Sequence, residues 1–208
     1  MFSRLALSMA LMLLAGCSTT RSTSPTHGAQ EMLLITTAAD RAAEALAAQV
    51  PPDLTAWIDT SGFSTEPGGA SSEALAYGMA AIKDALLRHG TRLMKDSSEA
   101  YAVILPRAGM LSTDERSVLL GIPAIPIPLA PGLVTPPLSL YSESQVKGAA
   151  KFAASIYDPK TGKLIVSTSP AYGFSRVDDS VILFIFTWRR NDLGVDFSKN
   201  PPEVAAPK

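Results

Sequence analysis

The sequence predicts an α+β domain: a mainly antiparallel sheet with two helices packed on one face, preceded by a signal peptide. Three observations predict it. Both segments with helical periodicity fall in the first half of the chain, strand-like patterns dominate the second half, and a proline/glycine turn joins two of those strands.

Residues 29–49 carry Leu33, Leu34, Ile35, Ala38, Ala39, Ala42, Ala43 and Leu46 at helical spacing, with charges at Glu31, Asp40, Arg41 and Glu44. This pattern predicts a helix with a packing face of small residues, ended by Pro51-Pro52. Residues 54–59 read as a short strand, and the Ser/Gly/Pro-rich residues 61–69 as a loop. The second helix has signals at both ends. Ser71 is a suitable N-cap, Glu73 complements the dipole in the first turn, and Leu75, Met79, Ile82 and Leu86 form the expected apolar stripe. Arg88 and His89 lie in the last turn, with Gly90 as the stop.

Residues 92–94 and 101–105 read as strands, the second an unbroken apolar run of the kind buried on both faces. Alternation of Val146, Gly148, Ala150, Phe152, Ala154 and Ile156 with more polar neighbours makes 145–157 a long half-buried strand. Asp158-Pro-Lys-Thr-Gly162 is a turn, and residues 163–169 return as its hairpin partner. Residues 180–188 form a further apolar strand.

The N-terminus has one positive charge at Arg4, an apolar run over 5–14, and then Leu14-Ala15-Gly16-Cys17. The apolar run is shorter than the roughly 20 residues of a spanning helix, so it reads as a secretory signal. Leu-Ala-Gly-Cys resembles the bacterial lipobox, which assigns residues 1–16 to a lipoprotein signal peptide and lipidation to Cys17. Cys17 is the only cysteine, so it has no disulfide partner within the chain. Residues 17–28 then form a polar lipidated tether, 29–196 a single periplasmic domain, and the proline-rich 197–208 a disordered tail. Ser18 follows the cysteine; by analogy with enteric-type bacteria, where Asp there retains a lipoprotein in the inner membrane, this points to the periplasmic face of the outer membrane.

Residues 121–137 combine many prolines with apolar residues. Proline forbids helix and central strand, so an extended polyproline-like backbone is expected. Two uses remain open: a loop laid across the domain's own core, or an exposed ridge that docks a partner or a subunit. Its candidate contact residues are Ile122, Pro123, Ile125, Pro126, Ile127, Pro128 and Leu129. Trp188-Arg189-Arg190 is compatible with a lipid headgroup layer, or with a tryptophan that caps the core beside solvated arginines.

Trp57-Ile-Asp-Thr-Ser-Gly-Phe63, the helix around 75–87, the 101–105 strand and the hairpin of 153–166 together resemble a group of small envelope proteins. These are the curli secretion channel, the lipoprotein activators of penicillin-binding proteins and the N-terminal domain of the TolB translocation protein. The Leu-Gly-Ile-Pro-x-Ile-Pro segment at 120–126 is similar to one in a further group of bacterial envelope lipoproteins. The resemblance implies a periplasmic domain that binds another envelope protein and performs no chemistry. It transfers no family site, and the proline-rich segment departs from the amphipathic hairpins of the curli channel.

Composition and motifs argue in the same direction. With 18 Lys and Arg against 19 Asp and Glu there is no basic footprint for nucleic acid. His27 lies in the tether and His89 at a helix end, so neither is placed as a catalytic base. Ser144-Gln-Val-Lys147 and Lys160-Thr-Gly162 match two motifs of penicillin-interacting serine enzymes as bare strings, but the first falls on a strand and the second in its turn. Asp114-Glu115 and Asp178-Asp179 are adjacent acids beside expected loops, which reads as solvated surface and not as a glycosidase pair. No cluster has metal-ligand spacing, and no cofactor is expected. The sequence therefore reads as a non-enzymatic adaptor or assembly factor held in the membrane through Cys17. Alternatives are a subunit of a homo-oligomeric envelope or secretion assembly and an enzyme acting on peptidoglycan or lipid.

Overall fold

The computed structural model describes residues 28–63, 70–122, 138–183, 185–196 and 203–204. Its elements run in the order α1 (Ala29–Ala47), β1 (Thr55–Ile58), α2 (Ser72–Arg88), β2 (Arg92–Leu93), β3 (Ala102–Ile122), β4 (Leu138–Tyr157), β5 (Leu164–Ser167), β6 (Ala171–Ile182) and β7 (Phe186–Asn191). The small strands β8 (Val195–Asp196) and β9 (Glu203–Val204) pair with each other. The main sheet has the order β2-β1-β3-β4-β6-β7, with β5 added to β4. Only β1 makes parallel pairs, with β2 and β3; every other pairing is antiparallel. The fold is α+β with both helices on one face, as the sequence predicts.

α1 lies directly on β4 and β6 because both surfaces are made of small residues. Ala38, Ala39, Ala42 and Ala43 are buried on the helix, and Gly148, Gly173 and Ser175 face them from the sheet. A methyl group at Gly148 would stand 2.5 Å from the Leu34 carbonyl oxygen, and one at Gly173 would stand 2.5 Å from the Ala42 nitrogen. Ser175 Oγ donates to the Leu34 carbonyl at 2.6 Å, which satisfies a hydroxyl that this close packing buries.

α2 begins where expected. Ser71 Oγ accepts from the Ala74 amide at 3.2 Å, and Gly90 ends the helix at a φ of +99°. The buried face is Ala74, Gly78, Ile82, Ala85 and Leu86, whereas Leu75 and Met79 are only half-buried. The expected stripe is thus rotated. Gly78 faces the sheet because Phe152 fills the space beneath it, its ring lying 5.7 Å from that of Phe63. Phe152, Ile104, Leu111, Ile156, Ile82 and Leu86 complete the core.

The strands depart furthest from expectation. β3 runs over 21 residues where five were expected, and β4 begins at Leu138, not at 145. The apolar stretch expected as one strand over 180–188 is two, the end of β6 and the start of β7, with a turn containing Leu183 at a φ of +50°. β6 reaches back to Ala171, a strand whose inward residues Ala171, Gly173 and Ser175 are too small to register as a hydrophobic pattern. The acids Asp114, Glu115, Asp178 and Asp179 accordingly lie within strands and not beside loops.

Candidate functional site

The helices cover one face of the main sheet and only its proximal half. Residue alternation assigns the remainder. On β4, Gly148, Ala150, Phe152 and Ala154 face the helices, so Tyr141, Glu143, Lys147, Ala149 and Lys151 lie on the open face. On β6 the open face holds Tyr172, Phe174, Arg176 and Asp178. Tyr172 and Phe174 are half-exposed and stacked, with ring centroids 6.3 Å apart and planes 3° apart. Lys151 Nζ lies 5.6 Å over the Tyr172 ring. Two aromatic rings and a cation thus stand on a sheet face that no described element covers.

Beyond the helices, β3, β4, β6 and β7 continue together as a four-stranded projection. The cross-strand register aligns Leu120, Tyr141, Ile182 and Phe186 in one row on the open face. Val118, Glu143, Ser180 and Trp188 form the next row toward the body. The opposite face carries Leu119, Ser142, Val181 and Thr187. Leu120 is 64% exposed, Phe186 63% and Ile185 in the turn 77%. The tip therefore exposes apolar side chains on both faces, interleaved on the second with Ser142 and Thr187.

Behind the tip the projection is charged and internally paired. Asp178 accepts from Gln145 Nε2 at 2.8 Å and pairs with Arg176 Nε at 3.1 Å. Arg189 pairs with Asp179 through two hydrogen bonds. Tyr141 Oη donates to Glu143 at 2.6 Å, which raises the pKa of the phenol. Arg116 and Arg190 occupy the same level as Asp178 on the open face.

The residues singled out by chemistry do not converge. His89 is the exposed C-cap of α2, its amide bonded to the Ala85 carbonyl at 3.0 Å. Asp114 and Glu115 lie on opposite faces of β3, and Asp178 and Asp179 on opposite faces of β6, each of the latter two paired to an arginine. Ser144 and Lys147 point to opposite faces of β4. In the 158–162 turn the Asp158 carboxylate accepts from the Lys160 amide and the Thr161 hydroxyl, both at 2.8 Å, and those bonds lower its pKa. Among the described residues no three of His, Cys, Asp and Glu gather to hold a metal, and no helix is long and apolar enough to cross a membrane.

Of the candidate contact residues, Ile122 is the last residue of β3, paired with Leu138. Pro123, Ile125, Pro126, Ile127, Pro128 and Leu129 lie outside the described residues, as do Cys17 and His27. Sequence reasoning missed Leu120, Tyr141, Ile182 and Phe186. The available signal was the freedom from charge of residues 117–142 and 180–188, which the fold brings to one end of the sheet. Compared with known proteins, the chain matches no family model, and no curated protein matches it.

Proposed function

We propose that this protein is a non-enzymatic adaptor or assembly factor of the bacterial envelope, held on the periplasmic face of the outer membrane by lipid on Cys17. Its α+β domain binds another envelope protein on the sheet face that the helices leave open. The observation that carries the reading is the stacked Tyr172–Phe174 pair beside Lys151 on that face. Aromatic rings held rigid by a strand contribute large contact area at little cost in side-chain entropy. Support for a role without chemistry is the pairing of the carboxylates at 178 and 179 with arginines and the scattering of the remaining titratable groups.

A photo-crosslinking residue placed at Phe174 in cells tests the reading. The expected product is one discrete adduct whose second component is an envelope protein; recovery of uncomplexed monomer alone overturns it. Metabolic labelling with an alkyne fatty acid tests the anchor, with incorporation expected in the natural chain and abolished by Cys17→Ser.

A second reading is a homo-oligomeric envelope assembly. It is favoured by two sheet edges, β7 and the part of β3 beyond its pairing with β1 at Ile104, which have no neighbour among the described residues. Such edges present unpaired backbone groups to another strand. Light scattering on the purified chain decides, since a monomer at all concentrations excludes it.

A further inference from the structure

We infer that the tip of the four-stranded projection seats in a lipid bilayer at the level of the headgroups, without crossing it. The first ground is the distribution of apolar residues. A protein-binding patch needs one apolar face, yet here Leu120, Ile182 and Phe186 lie on one face while Leu119 and Val181, beside Ser142 and Thr187, lie on the other. Leu183 and Ile185 occupy the turn at the end. Immersion accounts for uncharged rows with exposed apolar side chains on both faces and in the turn at the end.

The second ground is the order of chemistry along the strands. The apolar row is joined by Tyr141 and followed by a row with Trp188 and Glu143, then by a level where Arg116, Arg189 and Arg190 stand with Asp178 and Asp179. Tryptophan and tyrosine favour the interface because an apolar ring there carries a polar atom, and arginine binds phosphate with two parallel hydrogen bonds. Arg189 is engaged by Asp179, whereas Arg116 and Arg190 make no side-chain hydrogen bond or ion pair among the described residues.

Magnitudes set the depth. From Val118 to Ile122 the strand advances about 13 Å, at about 3.3 Å per residue. A spanning strand needs about 9–11 residues for a core of about 30 Å, and the charge-free ends of β6 and β7, Ser180 to Ile182 and Phe186 to Trp188, are far shorter. The edges of β3 and β7 that have no strand partner among the described residues give the same answer. Unpaired backbone groups in hydrocarbon cost several kcal/mol each, whereas at the headgroup level water still reaches them.

The tip lies apart from the Tyr172–Phe174 face and its seating does not require acylation, so the test uses residues 18–208, which lack both Cys17 and the apolar run over 5–14. Trp57→Phe in that background leaves Trp188 as the only tryptophan. The probe is vesicles of phosphatidylethanolamine and phosphatidylglycerol, some carrying lipid brominated near the headgroup or deep in the acyl chain. Co-flotation is expected, with a blue shift of Trp188 emission and stronger quenching by shallow than by deep bromine. The blue shift should vanish in Trp188→Phe with Trp57 intact. Leu120→Asp with Phe186→Asp, both at exposed positions, is expected to weaken flotation at least tenfold with an unchanged far-ultraviolet spectrum, while Leu87→Asp on exposed helix surface leaves it intact. Absence of flotation, flotation insensitive to the double substitution, self-association in place of vesicle binding, or stronger quenching by deep bromine each overturns the inference.

Discussion

Gly173 sits so close to Ala38 that a methyl group on it would overlap the Ala38 carbonyl oxygen. No side-chain motion can relieve that overlap, because the obstacle is the backbone of α1. Gly173→Ala and Gly148→Ala must therefore lift the helix off the sheet. Each is expected to destabilise by at least the about 1–3 kcal/mol typical of overpacking. Urea unfolding checks this, with a lower midpoint and an unchanged slope.

Thr168 supports the junction between β4 and the segment that follows β5. Its buried hydroxyl accepts from the Ala154 amide at 2.8 Å. Thr168→Val keeps the shape and leaves that amide unpaired, so a loss of about 1–3 kcal/mol is expected. Thr168→Ser should restore most of it, measured by the same unfolding experiment.

Arg41 on α1 fastens the end of β7 to the body. Its guanidinium donates to the Phe174 carbonyl, to the Asp192 carbonyl at 2.7 Å and to Asp192 Oδ2 at 2.8 Å, while Asp192 Oδ1 accepts from the Arg176 amide at 2.7 Å. The pair is partly exposed, so Arg41→Ala should change global stability by no more than about 1 kcal/mol. Hydrogen exchange should nonetheless accelerate at the Arg176 amide. An unchanged rate there would show that Asp192 keeps its position without the arginine.

Acid stability has opposing contributions. The Ser61 amide bonded to Asp59 and the Lys160 amide bonded to Asp158 hold those carboxyls below the ordinary range. A depressed carboxyl stabilises the fold above its unfolded value of about 3.9 and loses that contribution as pH falls through the folded value. Asp59→Asn and Asp158→Asn are expected to lower stability at neutral pH, with the difference from the natural chain shrinking as pH falls below 4. Asp40 acts in the other sense: burial raises its pKa, so its ionisation opposes folding above the folded value and the penalty disappears below the unfolded one. Tyr77→Phe removes a hydrogen bond at 3.1 Å that favours the ionised form, and should raise the Asp40 pKa further in an NMR titration.

The helices were legible because their signals are local: Ser71 and Gly90 bracket α2 as the sequence indicates. The long strand β3 was not, and one bulge explains why. Before Gly109 the residues facing the helices are even-numbered, Ile104 and Pro106; after it they are odd-numbered, Leu111 and Thr113. A strict alternation of two is thereby broken in mid-strand. β6 escaped notice for a different reason, since a helix lying on Gly173 and Ser175 demands small residues where hydrophobic pattern looks for large ones. The tip could not be read because its rows form only when β3, β4, β6 and β7 come together across the sheet.

Nineteen residue pairs register β3 against β4 from Val103 to Ile122, with two bulges. The same two strands serve the core at one end and the apolar tip at the other. Gly148 on β4 meets the Leu34 backbone and Gly173 on β6 meets the Ala38 backbone, so the sheet that carries the projection bears on α1 through main chain, with no compressible side chain between them.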